Sequence, residues 1–79
     1  MTDAQLTDII NRLRQGEDIN IRCQDGWWGY RFHGGQFIHF TRYIHEDRTD
    51  EAVSEADIRE QLASREYEQL RACMSPPSG

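Results

Sequence analysis

The stretch that decides the fold runs from Ile19 to Ile44, INIRCQDGWWGYRFHGGQFIHFTRYI. Its 26 residues contain both tryptophans, all three phenylalanines and two of the three tyrosines of the 79-residue chain. Most of the large apolar surface available for a core or a partner therefore lies there. Runs of strand-forming residues are interrupted by turn residues at Asp25-Gly26 and Gly34-Gly35, which predicts a three-stranded antiparallel meander.

Asp25-Gly26 has the composition of a type I′ turn, in which both central residues take positive φ. That turn would set Cys23 opposite Trp28, Ile21 opposite Tyr30 and Ile19 opposite Phe32. Ile19, Ile21, Cys23, Trp28, Tyr30 and Phe32 then share the core face. At the second turn a change of one residue in loop length reverses every side chain of the third strand. A three-residue loop, Gly34-Gly35-Gln36, places Ile38, Phe40 and Ile44 with the core; a two-residue loop would turn Phe37, His39 and Tyr43 inward instead. The apolar pattern favours the three-residue loop. The outer face then carries Asn20, Arg22, Trp27, Arg31, His33, Phe37, His39, Thr41 and Tyr43. Half-buried aromatics beside Arg and His have the make-up of a protein-binding hot spot, and the same residues also serve as cross-strand pairs that stabilise a sheet.

Two helices complete the chain. Thr2-Asp3-Ala4-Gln5 has the form of a capping box, Leu6, Ile9, Ile10 and Leu13 follow on one helical stripe, and Gly16 is a stop. After the meander, His45 to Glu51 reads as a polar loop. Ser54 caps the second helix, and Val53 is placed to staple against Ile58. The apolar stripe shifts between Ile58 and Leu62 on one side and Ala63, Tyr67, Leu70 and Met74 on the other, so this helix kinks near Ser64 or splits in two, with Ser64 able to cap the second piece. The expectation is one α+β domain over residues 1–74, of order α-β-β-β-α, followed by a disordered tail over 75–79 that contains Pro76-Pro77.

At this length only about 60% of the unfolded surface is buried, which disfavours a large internal active-site cavity and puts function on the surface. No apolar run is long enough to span a membrane, and Met1-Thr2-Asp3 lacks the character of a signal peptide, so the expected location is the cytoplasm. Cys23 and Cys73 are then expected as free thiols. All nine basic residues are arginine, and the net charge of −5 arises entirely beyond residue 44.

The chemistry-bearing residues form no strong motif. His33, His39 and His45 lack metal-ligand spacing, the acids from Glu46 to Glu51 lack the glycine and spacing of a calcium loop, and Gly34-Gly35 lacks the lysine of a phosphate loop. No nucleophile is paired with a base. The chain is therefore read as non-enzymatic, with no metal and no cofactor. Glu46, Asp47, Asp50, Glu51, Glu55, Asp57 and Glu60 form an acidic stretch suited to an arginine-rich groove, and an ordinary solvated helix face would hold the same residues.

The order helix, three strands, helix resembles double-stranded-RNA-binding domains, and an aromatic sheet face with Arg22 and Arg31 can stack bases. That family has a lysine cluster where this chain has Ser54-Glu55-Ala56-Asp57, so nucleic-acid binding is the second reading. In size, acidity, lack of lysine and pairing of an aromatic sheet with an acidic loop-helix, the whole chain is similar to the small phage- and prophage-encoded anti-CRISPR proteins that inhibit type I systems. The resemblance implies a partner that handles nucleic acid, with Cas subunits of a surveillance complex as the expected contact. It also implies that target DNA is excluded or the nuclease is not recruited. The residues expected to make the contact are Trp27, Arg31, Phe37, His39 and Tyr43 on the sheet and Glu46, Asp47, Asp50, Glu51, Glu55 and Asp57 beyond it. The protein itself would be a monomer, or a homodimer that buries the sheet face.

Overall fold

A computed structural model describes residues 1–75. The first helix, α1 (Asp3–Arg14), begins at the predicted capping box. The Thr2 hydroxyl accepts a hydrogen bond from the Gln5 N–H at 3.2 Å, and the Gln5 side chain accepts from the Thr2 N–H at 2.9 Å. The chain leaves the helix through Gly16 at φ 102°, a conformation that costs glycine little. Leu6, Ile9, Ile10 and Leu13 are the buried stripe.

Among the described residues the sheet has five antiparallel strands rather than three, in the order β4-β3-β2-β1-β5. Its members are β1 (Asp18–Cys23), β2 (Gly26–His33), β3 (Gln36–Tyr43), β4 (Thr49–Val53) and β5 (Met74–Ser75). The first hairpin pairs Cys23 with Gly26 and Ile21 with Trp28, two positions away from the expected register. A type I′ turn would need positive φ at Asp25, and among the described residues only glycines adopt it. Gln24-Asp25 forms the loop instead, and the Ile44 N–H ties its tip to the end of β3 by donating to the Asp25 carbonyl at 2.7 Å. Because the shift is even, the faces of β1 and β2 stay as predicted.

The second hairpin does reverse a face. Gly34 and Gly35 take φ 60° and 80° and form a two-residue loop, with His33 opposite Gln36. Phe37 then faces Phe32, and His39 faces Tyr30. Phe37, His39, Thr41 and Tyr43 therefore lie on the helix-covered side, and the expectation that they share the outer face with Trp27 and Arg31 is corrected. Phe37 is buried in the core, whereas Ile44, expected there, is 74% exposed. Cys23, also expected in the core, is exposed at the end of β1.

Thr49–Val53, expected mostly as loop, pairs with β3 along its length. Its composition hid it. An edge strand solvated on both faces needs no apolar alternation, and charge on an edge discourages pairing with other chains. Beyond it, Ser54 caps α2 (Glu55–Leu62) through a second capping box with Asp57. The shifted apolar stripe resolves into two helices, α2 and α3 (Tyr67–Ala72). Glu66, not Ser64, occupies the cap position of α3, and it makes no side-chain cap bond. Met74 is not helical: it pairs with Ile19 in β5, and Ser75, expected to begin the tail, pairs with Asp18. The rest of the predicted tail, 76–79, lies outside the described residues.

All three helices cover one face of the sheet. Ile9, Ile10, Leu13, Ile58, Leu62 and Leu70 pack with Ile19, Ile21, Tyr30 and Phe37 in a single cluster. Polar contacts tie the helices together: Tyr67 donates to Asp8 at 2.5 Å, and Arg14 reaches Glu55 at 2.5 Å. The opposite sheet face is open. Phe40 is nevertheless buried there, because its ring lies over Gly29, whose missing side chain leaves room, and the Arg42 guanidinium stands 5.3 Å from the ring centroid.

Candidate functional site

The reversed face of β3 builds a feature that the expected register would not have formed. His39 and Tyr43 stand on the same side of the sheet as Trp28 and Tyr30, and α2 closes over only part of them. What remains is a cleft of about 460 Å³, floored by these four rings and bounded by Glu51 and Val53 of β4 and by Asp57 and Gln61 of α2. That volume falls within the range of small-ligand or side-chain sites.

The rings touch one another. Trp28 meets Tyr30 edge-on at a centroid distance of 6.2 Å, and His39 lies 5.9 Å from Trp28 and 5.1 Å from Tyr30. Cross-strand contact holds them in place, since Tyr30 and His39 are directly opposed. The Tyr30 phenol is pushed upward in pKa, mainly by burial; Asp57 adds to the rise and Arg65 opposes it. The Tyr43 phenol is also raised, first by desolvation and then by the neighbouring Cys23 side chain. Both phenols therefore stay neutral at physiological pH and present π faces rather than charge.

The cleft's acids come from the acid-rich segment. Asp57 sits at the third position of α2, where the capping box occupies Oδ2 with the Ser54 N–H at 3.2 Å. Among the described residues neither Asp57 nor Glu51 has an ion-pair partner. At the other end of α2 the Arg65 guanidinium stands 5.0 Å from the Trp28 ring centroid, and it too has no carboxylate partner among the described residues. Neutral aromatic faces next to uncompensated carboxylates attract cations.

The other expected contact residues are dispersed. Trp27 lies on the open face, 38% exposed, with the Arg22 guanidinium 5.8 Å from its ring. Arg31 is on the same face, paired with Asp50 at 3.3 Å, and Arg42 meets that carboxylate at 2.8 Å. These two arginines hold Asp50 below the usual carboxylate range, the Arg42 hydrogen bond contributing most. Glu55 is likewise lowered, first by Arg59 and then by Arg14. Phe37 is core, 5.0 Å from Phe32, with Arg14 above its ring. Glu46 and Asp47 are exposed in the loop after β3. His33 and His39, expected on one face, are on opposite faces.

Sequence reasoning places Trp28 and Tyr30 in the core and Val53 as a staple of the second helix, and it singles out neither Gln61 nor Arg65. The Gly34-Gly35 pair carries the signal that brings His39 and Tyr43 onto the face of Trp28 and Tyr30, since two adjacent glycines satisfy a two-residue loop with both φ values positive. Among the described residues no group of three or more His, Cys, Asp or Glu side chains could hold a metal ion, and no helix is long and apolar enough to cross a membrane. Comparison of the chain with protein families, curated proteins and solved structures finds no match.

Proposed function

We propose that the protein is a non-enzymatic binding module that seats a cationic segment of a partner protein in the aromatic cleft and against the acids beside it. The observation that carries this reading is the pairing of Glu51 and Asp57, free of ion pairs among the described residues, with the rings of Trp28, Tyr30, His39 and Tyr43 in one cleft. Acids elsewhere in the same segment are already used, Asp50 by Arg31 and Arg42 and Glu55 by Arg14 and Arg59. The attractive surface is thus narrower than the acidic stretch.

Protein surfaces that hold nucleic acid present cationic groups that such a cleft would attract. Together with the resemblance to small anti-CRISPR proteins, this makes an inhibitor of a type I CRISPR surveillance complex the sharpest form of the proposal. Occupation of an arginine-rich groove on its Cas subunits would exclude target DNA or keep the nuclease away. The test is a gel shift of target duplex by the complex with and without this protein, run beside a nuclease-recruitment assay. Loss of either activity, restored by Glu51→Lys with Asp57→Lys, supports the proposal; full activity in both assays refutes its CRISPR form.

A second reading rests on the open face. Arg22 has no carboxylate partner among the described residues and stacks on the exposed Trp27, an arrangement that can hold a nucleobase and its phosphate. Salt-sensitive binding of RNA or DNA by the protein alone, abolished by Trp27→Ala, would favour it.

A further inference from the structure

Resting on the binding reading above, we infer that the cleft is a receptor for a single guanidinium group, an arginine side chain presented by the partner, and that Arg65 is its internal competitor. Three observations converge. The walls Trp28, Tyr30 and Tyr43 are neutral π surfaces. The carboxylates of Glu51 and Asp57 reach the cleft without a cation to neutralise them, and only one Asp57 oxygen is taken up by the helix cap. The chain already places one guanidinium on a ring of the cleft, that of Arg65 on Trp28 at 5.0 Å, from outside the residues that line the cleft.

The geometry separates a guanidinium from an ammonium. A guanidinium is planar and weakly hydrated, so it lies flat on an indole while its edge N–H groups donate to a carboxylate in the guanidinium's own plane. An ammonium is a strongly hydrated point charge that gives up more solvation to enter the same space. Rings that floor the cleft and acids at its border offer both contacts at once to the planar cation. Arg65 engages the Trp28 face but finds no carboxylate among the described residues, so an incoming arginine that takes both the ring and the acids displaces it.

Trp28 is a built-in reporter once the second indole is removed. In the Trp27→Phe protein, tryptophan fluorescence is titrated with three capped peptides identical except for a central arginine, lysine or citrulline. The arginine peptide is expected to perturb Trp28 saturably and to bind at least about tenfold tighter than the uncharged citrulline peptide, a difference of one decade in Kd. The lysine peptide is expected to fall between them. Glu51→Gln and Asp57→Asn, which keep side-chain shape, should each weaken the arginine peptide severalfold. Arg65→Ala should tighten it by about fivefold, as removal of a partly exposed cation–π competitor predicts. Equal binding of arginine and citrulline peptides, or no saturable response to arginine, overturns the inference. Lysine binding as tightly as arginine also overturns it but leaves a general cation site, and with it the binding reading, standing. Unchanged or weaker binding by Arg65→Ala refutes the competitor role.

Discussion

Replacing Phe37 with alanine and, separately, its neighbour Ile38 with alanine tests the register on which the cleft depends. In the observed register Phe37 is 7% exposed, in contact with Phe32 and beneath Arg14, while Ile38 is only half-buried on the open face. Truncating a buried phenylalanine costs about 3–5 kcal/mol through lost transfer energy and the cavity left behind. A half-exposed isoleucine has roughly half of its burial to lose, about 1 kcal/mol. A chain of this size has a total stability of roughly 4–12 kcal/mol, so Phe37→Ala should remove a large fraction of it. With a urea slope of about 1 kcal/mol/M, the Phe37→Ala midpoint should fall by about 3–5 M and that of Ile38→Ala by about 1 M. Equilibrium unfolding followed by far-UV circular dichroism reads both. If Ile38→Ala proves as costly as Phe37→Ala, the three-residue loop is correct, His39 and Tyr43 face outward, and the cleft does not exist.

Two further outcomes follow from the same geometry. An alanine Cβ at Gly29 would stand 1.7 Å from the Ile19 carbonyl oxygen, a backbone atom, so Gly29→Ala should force β1 from β2 and cost about 3 kcal/mol or more; Gly35→Ala meets open space at φ 80° and should cost only about 1–2 kcal/mol. Thermal unfolding ranks the two, and the reverse order would contradict the strand pairing. Acid should also weaken the fold. Asp8 is lowered chiefly by the Tyr67 hydroxyl and then by Arg12, Asp50 chiefly by Arg42, and Glu55 chiefly by Arg59 and Arg14. Carboxyls of the unfolded chain titrate near ~4, so just below that range the unfolded state binds more protons than the folded state. The stabilisation is fully present above that range and is lost as pH falls through the lowered native values. Urea midpoints measured from pH 7 to pH 2.5 should therefore fall, and Tyr67→Phe should flatten part of the dependence while lowering the midpoint at neutral pH. A midpoint that rises on acidification would refute the assignment.

How much was legible in the chain divides along physical lines. The capping boxes at Thr2 and Ser54, the stripe of Leu6, Ile9, Ile10 and Leu13, and the break in the helical pattern before Tyr67 all depend on neighbours within a few residues, and sequence reading finds them. β4 escaped because its polar residues have no buried face to alternate against, and β5 because two residues carry no periodic signal at all. Phe40 misled the register directly. A large aromatic is expected to face the main core, yet this one buries itself on the open side over Gly29, a solution visible only once the two strands are aligned.

The sequence by itself determined the α+β class, the two capped helix starts, an antiparallel sheet centred on residues 19–44 and the concentration of negative charge beyond residue 44. Only the tertiary structure decided which face of β3 looks inward, that Thr49–Val53 joins the sheet, and that Glu51 and Asp57 meet the rings of Trp28, Tyr30, His39 and Tyr43. The reason is the period of a strand: local chemistry sets where it runs, but one residue of loop length selects between two faces of similar composition. That choice is settled by what packs against each face, here the helices that bury Phe37 and the glycine that accommodates Phe40.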